Sequence, residues 1–244
     1  MERKAAVLEI AANSLASALA SQEGGADRIE LCAALEVGGL TPSYAQIALT
    51  RERVRIPIYV LIRPRTGDFV YSDSEFETMQ RDVETCVSLG CEGIVIGALD
   101  VNGSVDTNRC RILIAAAGRL GVTFHRAFDM SRDPQAALED IIALRCERVL
   151  TSGAQADALS GVALIAKLVA QAAGRISVMP GAGVNAKNIA ALRALTAARE
   201  FHSSAKRELS SRMHGGNNLS GMTAGEVLSD VEQVRALVAA LAGD

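Results

Sequence analysis

The stretch LEIAANSLASAL, residues 8–19, decides between two architectures. A short strand-like run passes into a helix-like one with no glycine at the junction. An open doubly wound sheet would more often carry a glycine-rich turn after its first strand. Its absence favours the closed alternative, a (β/α)8 TIM barrel.

Working outward from that stretch, β-rich runs recur at 6–10, 28–32, 58–62, 93–96, 122–125, 148–151, 176–179 and 200–203, with helical patterns between them. Eight such alternations in 244 residues match the barrel in both length and count. Helix starts are marked by Thr41-Pro42 and Asp133-Pro134, each a capping side chain before a proline suited to the first helical position. Asn185 suits a cap for the helix that follows it, and Ser72 to Ser74 open a helix that stops at Gly90. A last helix is expected over 224–241, where Val227, Val231, Val234 and Val238 keep one face apolar. No linker divides the chain, so one barrel domain over 1–244 is expected. The polar segment 206–223, KRELSSRMHGGNNLSGMT, reads as a long loop after strand eight, either a surface loop or a lid.

Composition narrows the function. Hydrophobic residues make up 49% and aromatics only 3%, so aliphatic side chains must fill the core. The net charge is −3 with dispersed basic residues, which speaks against a nucleic-acid partner. No apolar run approaches a membrane span, and the N-terminal residues lack a signal-peptide layout. Five cysteines without a CxxC pair do not form a disulfide framework. A cytoplasmic protein is expected, and a homo-oligomer is compatible with the sequence.

Alternation along the strands indicates which side chains face the barrel axis. The inward set is Val7 and Glu9; Arg28, Glu30 and Cys32; Tyr59 and Arg63, with Arg65 just beyond; Thr123 and His125; Thr151; Ser177 and Met179; Glu200 and His202. Glu9, Glu30, Arg63, His125, Thr151 and His202 would converge at the C-terminal mouth, where barrel enzymes place their sites. Buried charges without partners cost several kcal/mol each, so such a cluster must be a paired network, whether structural or functional. In VTFHRAFDM, residues 122–130, His125 ends a strand facing the mouth. Its imidazole suits an acid, a base or a metal ligand. Arg126 suits an anion, or Glu30 across the mouth, and is expected to face the helical layer or the loop, and Asp129 can orient either residue. The loops VMPGAGVNAKN (178–188) and HSSAKRE (202–208) follow strands seven and eight, where barrels often bind phosphate. Gly181, Gly183, Ser203 and Ser204 are the candidates there. The four lysines, Lys4, Lys167, Lys187 and Lys206, all fall outside the expected strands, which disfavours Schiff-base chemistry. No HExxH, P-loop or GxSxG sequence occurs.

Taken together, ADRIELCAALEVGGLTPS, IRPRTGDFVYSDSEF, VTFHRAFDM, RVLTSG, MPGAGV and EFHSSA resemble the CutC family, named for copper homeostasis, in the family's order from about Leu8 to Ala205. The resemblance implies a TIM barrel, a cytoplasmic location and a link to copper as Cu(I), but no reaction. It makes Cys32, in the IELC motif, the candidate copper ligand. Many members also carry a cysteine just after the first strand, where this chain has Ala11; Thr66 replaces a usual glycine.

Two readings follow. One is a Cu(I)-binding protein using Cys32 with His202 or Met179. The other is a barrel enzyme on a small anionic or phosphorylated metabolite. Arg63, Arg65 and Arg126 would then join the strand-seven and strand-eight loops in holding the anion, and Glu9, Glu30 and His125 would form the catalytic set, with Glu30 and His125 exchanging protons. A hard divalent metal held by Glu9, Glu30, His125 or His202 would merge the two.

Overall fold

A computed structural model describes residues 6–211 and 225–243. Eight parallel strands alternate with helices in chain order. They are β1 (Val7–Ala12), α1 (Leu15–Glu23), β2 (Arg28–Leu31), α2 (Tyr44–Arg53), β3 (Ile58–Leu61), α3 (Asp73–Ser88), β4 (Gly93–Ile96), α4 (Thr107–Ala117), β5 (Gly121–Phe124), α5 (Pro134–Ala143), β6 (Arg148–Thr151), α6 (Val162–Ala172), β7 (Ser177–Pro180), α7 (Ile189–Thr196) and β8 (Glu200–Ser203). The ladder runs β7-β6-β5-β4-β3-β2-β1-β8, with β7 and β8 side by side to complete the barrel. An antiparallel pair, β9 (Lys206–Leu209) and β10 (Glu226–Ser229), and α8 (Val231–Ala242) complete the described fold. No described helix is long and apolar enough to cross a membrane.

The alternation read from sequence positions the site. Leu8, Ile10, Ile29, Leu31, Val149, Val178 and Phe201 face outward into one continuous core against the helices. Fully burying each such side chain stabilises the fold by roughly 1.5–3 kcal/mol. Their neighbours in sequence therefore point to the barrel axis, and these are Glu9, Arg28, Glu30, Arg148, Met179, Glu200 and His202. Thr151 departs from the expected set. It shares a face with outward-pointing Val149, and its hydroxyl bonds Asp129. Leu150 takes the inward place at the mouth.

Several boundaries differ from expectation for local reasons. Helix α2 is capped by Ser43, because the Thr41 hydroxyl instead accepts the backbone N–H of Arg63 at 2.8 Å. Asn188 stands at the N-cap position of α7 without a side-chain capping bond, its Oδ1 instead accepting the N–H of Asn185, while the Asn185 side chain closes a turn onto the N–H of Lys187. Asp133-Pro134 and Ser72 cap as read, the latter in a reciprocal capping box with Glu75. The last helix starts only at Val231, since Val227 lies in β10. The expected long loop begins as strand β9, so Lys206 does lie in a strand, and 212–223 falls outside the described residues. The β9–β10 ladder is anchored on the first turn by Asn13, which donates to the Val227 carbonyl, and by Ser17, which accepts the N–H of Ser229.

Candidate active site

The axis of the barrel is filled at its lower level by charge. Glu9 is fully buried and ion-paired with Arg28. The Arg28 Nη2 reaches Glu200 at 2.7 Å, and Arg148 reaches the same Glu200 oxygen at 3.0 Å and the Thr123 hydroxyl at 2.9 Å. Both guanidinium groups lie against the ring of Tyr59, 5.2 and 4.7 Å from its centroid. Room for that ring comes from Gly93, where a Cβ would stand 2.1 Å from it. Two carboxylates and two guanidinium groups thus compensate each other, as the cost of burying charge requires.

One level higher, His202 joins this lattice to the mouth. Its Nδ1 lies 2.8 Å from Glu9 and its Nε2 lies 3.7 Å from Glu30. Burial alone would push the Glu9 carboxyl up, but the Arg28 charge and the His202 hydrogen bond outweigh it, leaving Glu9 ionised well below the usual range. An ionised Glu9 accepts, so the proton sits on His202 Nδ1 and the Nε2 is turned toward Glu30. Burial works against a charged His202, yet the adjacent Glu30 and Glu9 carboxylates raise its pKa overall. For Glu30, burial dominates: it and the Glu9 charge outweigh attraction to His202 and raise the carboxyl to about 7.

Above these groups opens a cavity of about 420 Å³. Glu30, Arg63, His125, Arg126, Gly183, His202, Ser203 and Ser204 all line it, joined by Ala11, Phe69 and Lys206. Arg63 is only 8% exposed. Its two terminal nitrogens donate to the carbonyls of Val37, Gly39 and Gly67, its Nε has no partner, and none of the ion pairs among the described residues involves it. His125 is 4% exposed; its Nδ1 accepts the N–H of Ala127, and its Nε2 has no partner. Burial, reinforced by the Arg63 charge, lowers the imidazole to about 3, so the ring is neutral. Leaving a buried donor unsatisfied costs roughly 1–3 kcal/mol, and the two residues that carry these buried groups both line one cavity. On the opposite side, Ala182 and Gly183 both take left-handed φ of 70°, and the N–H groups of 182–184 make no hydrogen bond among the described residues. Unpaired N–H groups in such a turn suit an anion.

Other candidates are placed elsewhere. Arg65 turns away from the mouth, bonding Glu75 at 2.6 Å and Asp68 at 3.0 Å near the start of α3. Gly181 does not line the cavity but permits close packing, since a Cβ there would stand 2.4 Å from Leu150. Glu9 lies beneath the cavity as the partner of His202. Arg126 faces the mouth rather than the helical layer, held by Asp129 at 2.8 Å; Asp129 therefore orients Arg126 and not His125. The neutral, fixed ring of His125 does not suit proton exchange with Glu30, and the imidazole that faces Glu30 is His202, at 3.7 Å. Phe69 and Gly97 went unread in the sequence. Phe69 packs against both Arg63 and His125, each at 5.1 Å, and a Cβ at Gly97 would stand 2.5 Å from the His125 ring. The only local signal for Phe69 was a rare aromatic in the loop after β3.

The sequence pattern that defines the CutC family matches residues 6–207. The chain belongs to the CutC family. It is 60% identical over 232 residues to a CutC family protein of Xylella fastidiosa strain Temecula1, covering 95% of this chain and 87% of that one. A CutC family protein of Xanthomonas campestris pv. campestris strain B100 is 59% identical over 232 residues, 95% of this chain and 97% of that one. The crystal structure of a CutC described as a copper homeostasis protein, from Streptococcus agalactiae, is 32% identical with a TM-score of 0.78, covering 82% of this chain and 98% of that one.

The CutC name raises copper, and the described residues do not fit Cu(I). Cys32 is fully buried with Tyr59, Leu61 and Val95 in an inner cluster and does not line the cavity. Burial first, then Glu30 and Glu36, push its thiol far above the ordinary range, whereas Cu(I) is held by thiolate. Met179 accepts from Arg28 at 3.6 Å, and both ring nitrogens of His202 face carboxylates. The position that does line the cavity where many members carry cysteine is Ala11. Among the described residues, no three His, Cys, Asp or Glu side chains are grouped to hold a metal ion.

Proposed function

We infer that this CutC-family chain is an enzyme that binds a small anionic metabolite in the barrel mouth and moves a proton with Glu30 and His202. The observation that carries this is Arg63, a buried cation with no carboxylate partner among the described residues, at the wall of an open cavity. Uncompensated buried charge is costly, and an anionic ligand supplies the missing partner. Arg126, Lys206 and Ser204 around the cavity and the unpaired N–H groups of 182–184 add to the same preference, whereas the Ser203 hydroxyl donates to the Val184 carbonyl at 2.6 Å. Glu30, raised to about 7, is poised to take and return a proton near neutral pH. All five cysteines are free and buried, which suits the reducing cytoplasm.

Thermal unfolding with inorganic phosphate, sugar phosphates and dicarboxylates tests this reading. A ligand at 100 times its dissociation constant is expected to stabilise the protein by about 2.7 kcal/mol. That gain should vanish in Arg63→Met and shrink in Arg126→Ala. No stabilisation by any of these anions would sink the reading.

Copper binding, the function carried by the family's name, is favoured by no residue arrangement among the described residues. Replacing Cys32 with serine is expected to leave Cu(I) affinity, measured by competition with a chromogenic chelator, essentially unchanged. A loss of about tenfold or more, equivalent to about 1.4 kcal/mol, would restore a thiolate site.

A further inference from the structure

We propose that the ligand is a small phosphorylated α-hydroxy aldehyde or ketone whose carbonyl oxygen is held by His125 Nε2 and Arg63 while Glu30 removes the proton from the adjacent carbon. The proposal rests on the reading of the mouth as an anion site and adds what the rest of the ligand must be.

The state of His125 carries it. Because Nδ1 accepts from the Ala127 N–H, the neutral ring must carry its hydrogen on Nε2. That N–H is buried and lacks a partner, and the ring cannot turn freely, being held by Phe69 on one side and the Gly97 backbone on the other. A site built only to hold an anion would gain from an imidazolium. Here burial and the neighbouring Arg63 keep the ring neutral, which leaves a donor that polarises an oxygen without surrendering a proton to it. The Arg63 Nε, also unpartnered, provides a second donor and the positive charge. Two unsatisfied donors on residues that line the same cavity as a carboxylate base are the parts needed to form and hold an enolate. The turn at 182–184 accommodates the phosphate on the other side of the cavity.

The step balances without a co-reactant. A Glu30 carboxylate oxygen takes the proton from the carbon next to the carbonyl. The C–H electron pair becomes the new C=C bond, and the carbonyl π pair moves onto oxygen, where His125 and Arg63 hold the charge. Glu30 then returns its proton to the same carbon or, after proton transfer between the two oxygens, to the former carbonyl carbon. The first outcome exchanges hydrogen with solvent and the second isomerises the sugar. His202 beside Glu30 stabilises the ionised carboxylate before the step.

The test incubates the purified full chain in D2O with glycolaldehyde phosphate, dihydroxyacetone phosphate and ribose 5-phosphate, following loss of the α C–H signal by proton NMR. Thermal unfolding is recorded with the same three compounds and with inorganic phosphate. Enzyme-dependent exchange is expected with at least one sugar phosphate. It should fall about 100-fold or more in Glu30→Gln and in His125→Leu, with partial recovery in His125→Gln, which retains an N–H donor. Stabilisation by these compounds without exchange would overturn the enolisation proposal and leave the anion site standing. Exchange that survives His125→Leu would overturn the role of His125. No stabilisation and no exchange would remove the anion reading, and the proposal with it.

Discussion

Replacing Glu9 with alanine is expected to lower the stability of the barrel by about 3–5 kcal/mol, the usual result of removing one partner from a buried ion pair. Glu9 is fully buried and serves two groups, the Arg28 guanidinium and His202 Nδ1. Alanine would leave Arg28 with Glu200 alone, in competition with Arg148 for the same oxygen, and would leave the imidazole N–H without an acceptor. Urea unfolding at neutral pH measures the loss. The comparison that gives it meaning is Arg175→Ala, which breaks an ion pair with Glu139 whose side chains are both about half exposed. Exposed pairs contribute about 0–1 kcal/mol, so the two substitutions should differ several-fold although each removes one charge. A Glu9→Ala loss below about 1 kcal/mol would mean that the axial lattice relaxes without Glu9, contrary to the buried-pair argument. The same substitution bears on function, since Glu9 is what fixes the His202 tautomer and turns Nε2 toward Glu30.

The barrel was legible because its signal is local. Outward Leu8, Ile10, Ile29 and Leu31 alternate with polar residues, and that alternation alone turns Glu9, Arg28 and Glu30 toward the axis. Where a residue's environment comes from far along the chain, local reading failed. Thr151 looked inward because it is polar, but its partner is Asp129, presented by the turn after β5. Val227 fitted a helical stripe, but the strand Lys206–Leu209 captures it, a pairing the spacing did not show. The chemical state of the site was less legible still. His125 and His202 are both histidines near strand ends, and nothing local says which is neutral. Burial beside Arg63 lowers the pKa of the first, and two carboxylates raise that of the second. Arg65 resembled Arg63 in sequence, two residues away, yet the capping Glu75 of α3 claims it.

A second large effect is a loss of stability between about pH 5 and pH 8 that originates at Glu30. Its carboxyl titrates near 7 in the folded protein against 4.5 ordinarily. Within that interval the native state keeps a proton that the unfolded chain has released, so stability must fall as pH rises. At 1.36 kcal/mol per pKa unit, the full effect is about 3 kcal/mol, most of it accumulating between pH 5 and 8. Glu9, whose pKa is lowered, acts in strong acid, where its contribution is lost as pH falls below the ordinary carboxylate range. His202, whose pKa is raised, slopes in the same direction as Glu30, and because the two face each other their contributions do not simply add. Glu30→Gln removes the titrating carboxyl while keeping its shape. Relative to the parent, the variant should gain about 2–3 kcal/mol between pH 5 and pH 8 in urea unfolding. Parallel pH profiles for the two proteins would show that Glu30 is ionised throughout and lies outside the range a neutral-pH base requires. A large divergence would show a carboxyl held near its midpoint at a cost in stability, in the cavity where a proton has to be taken up and given back.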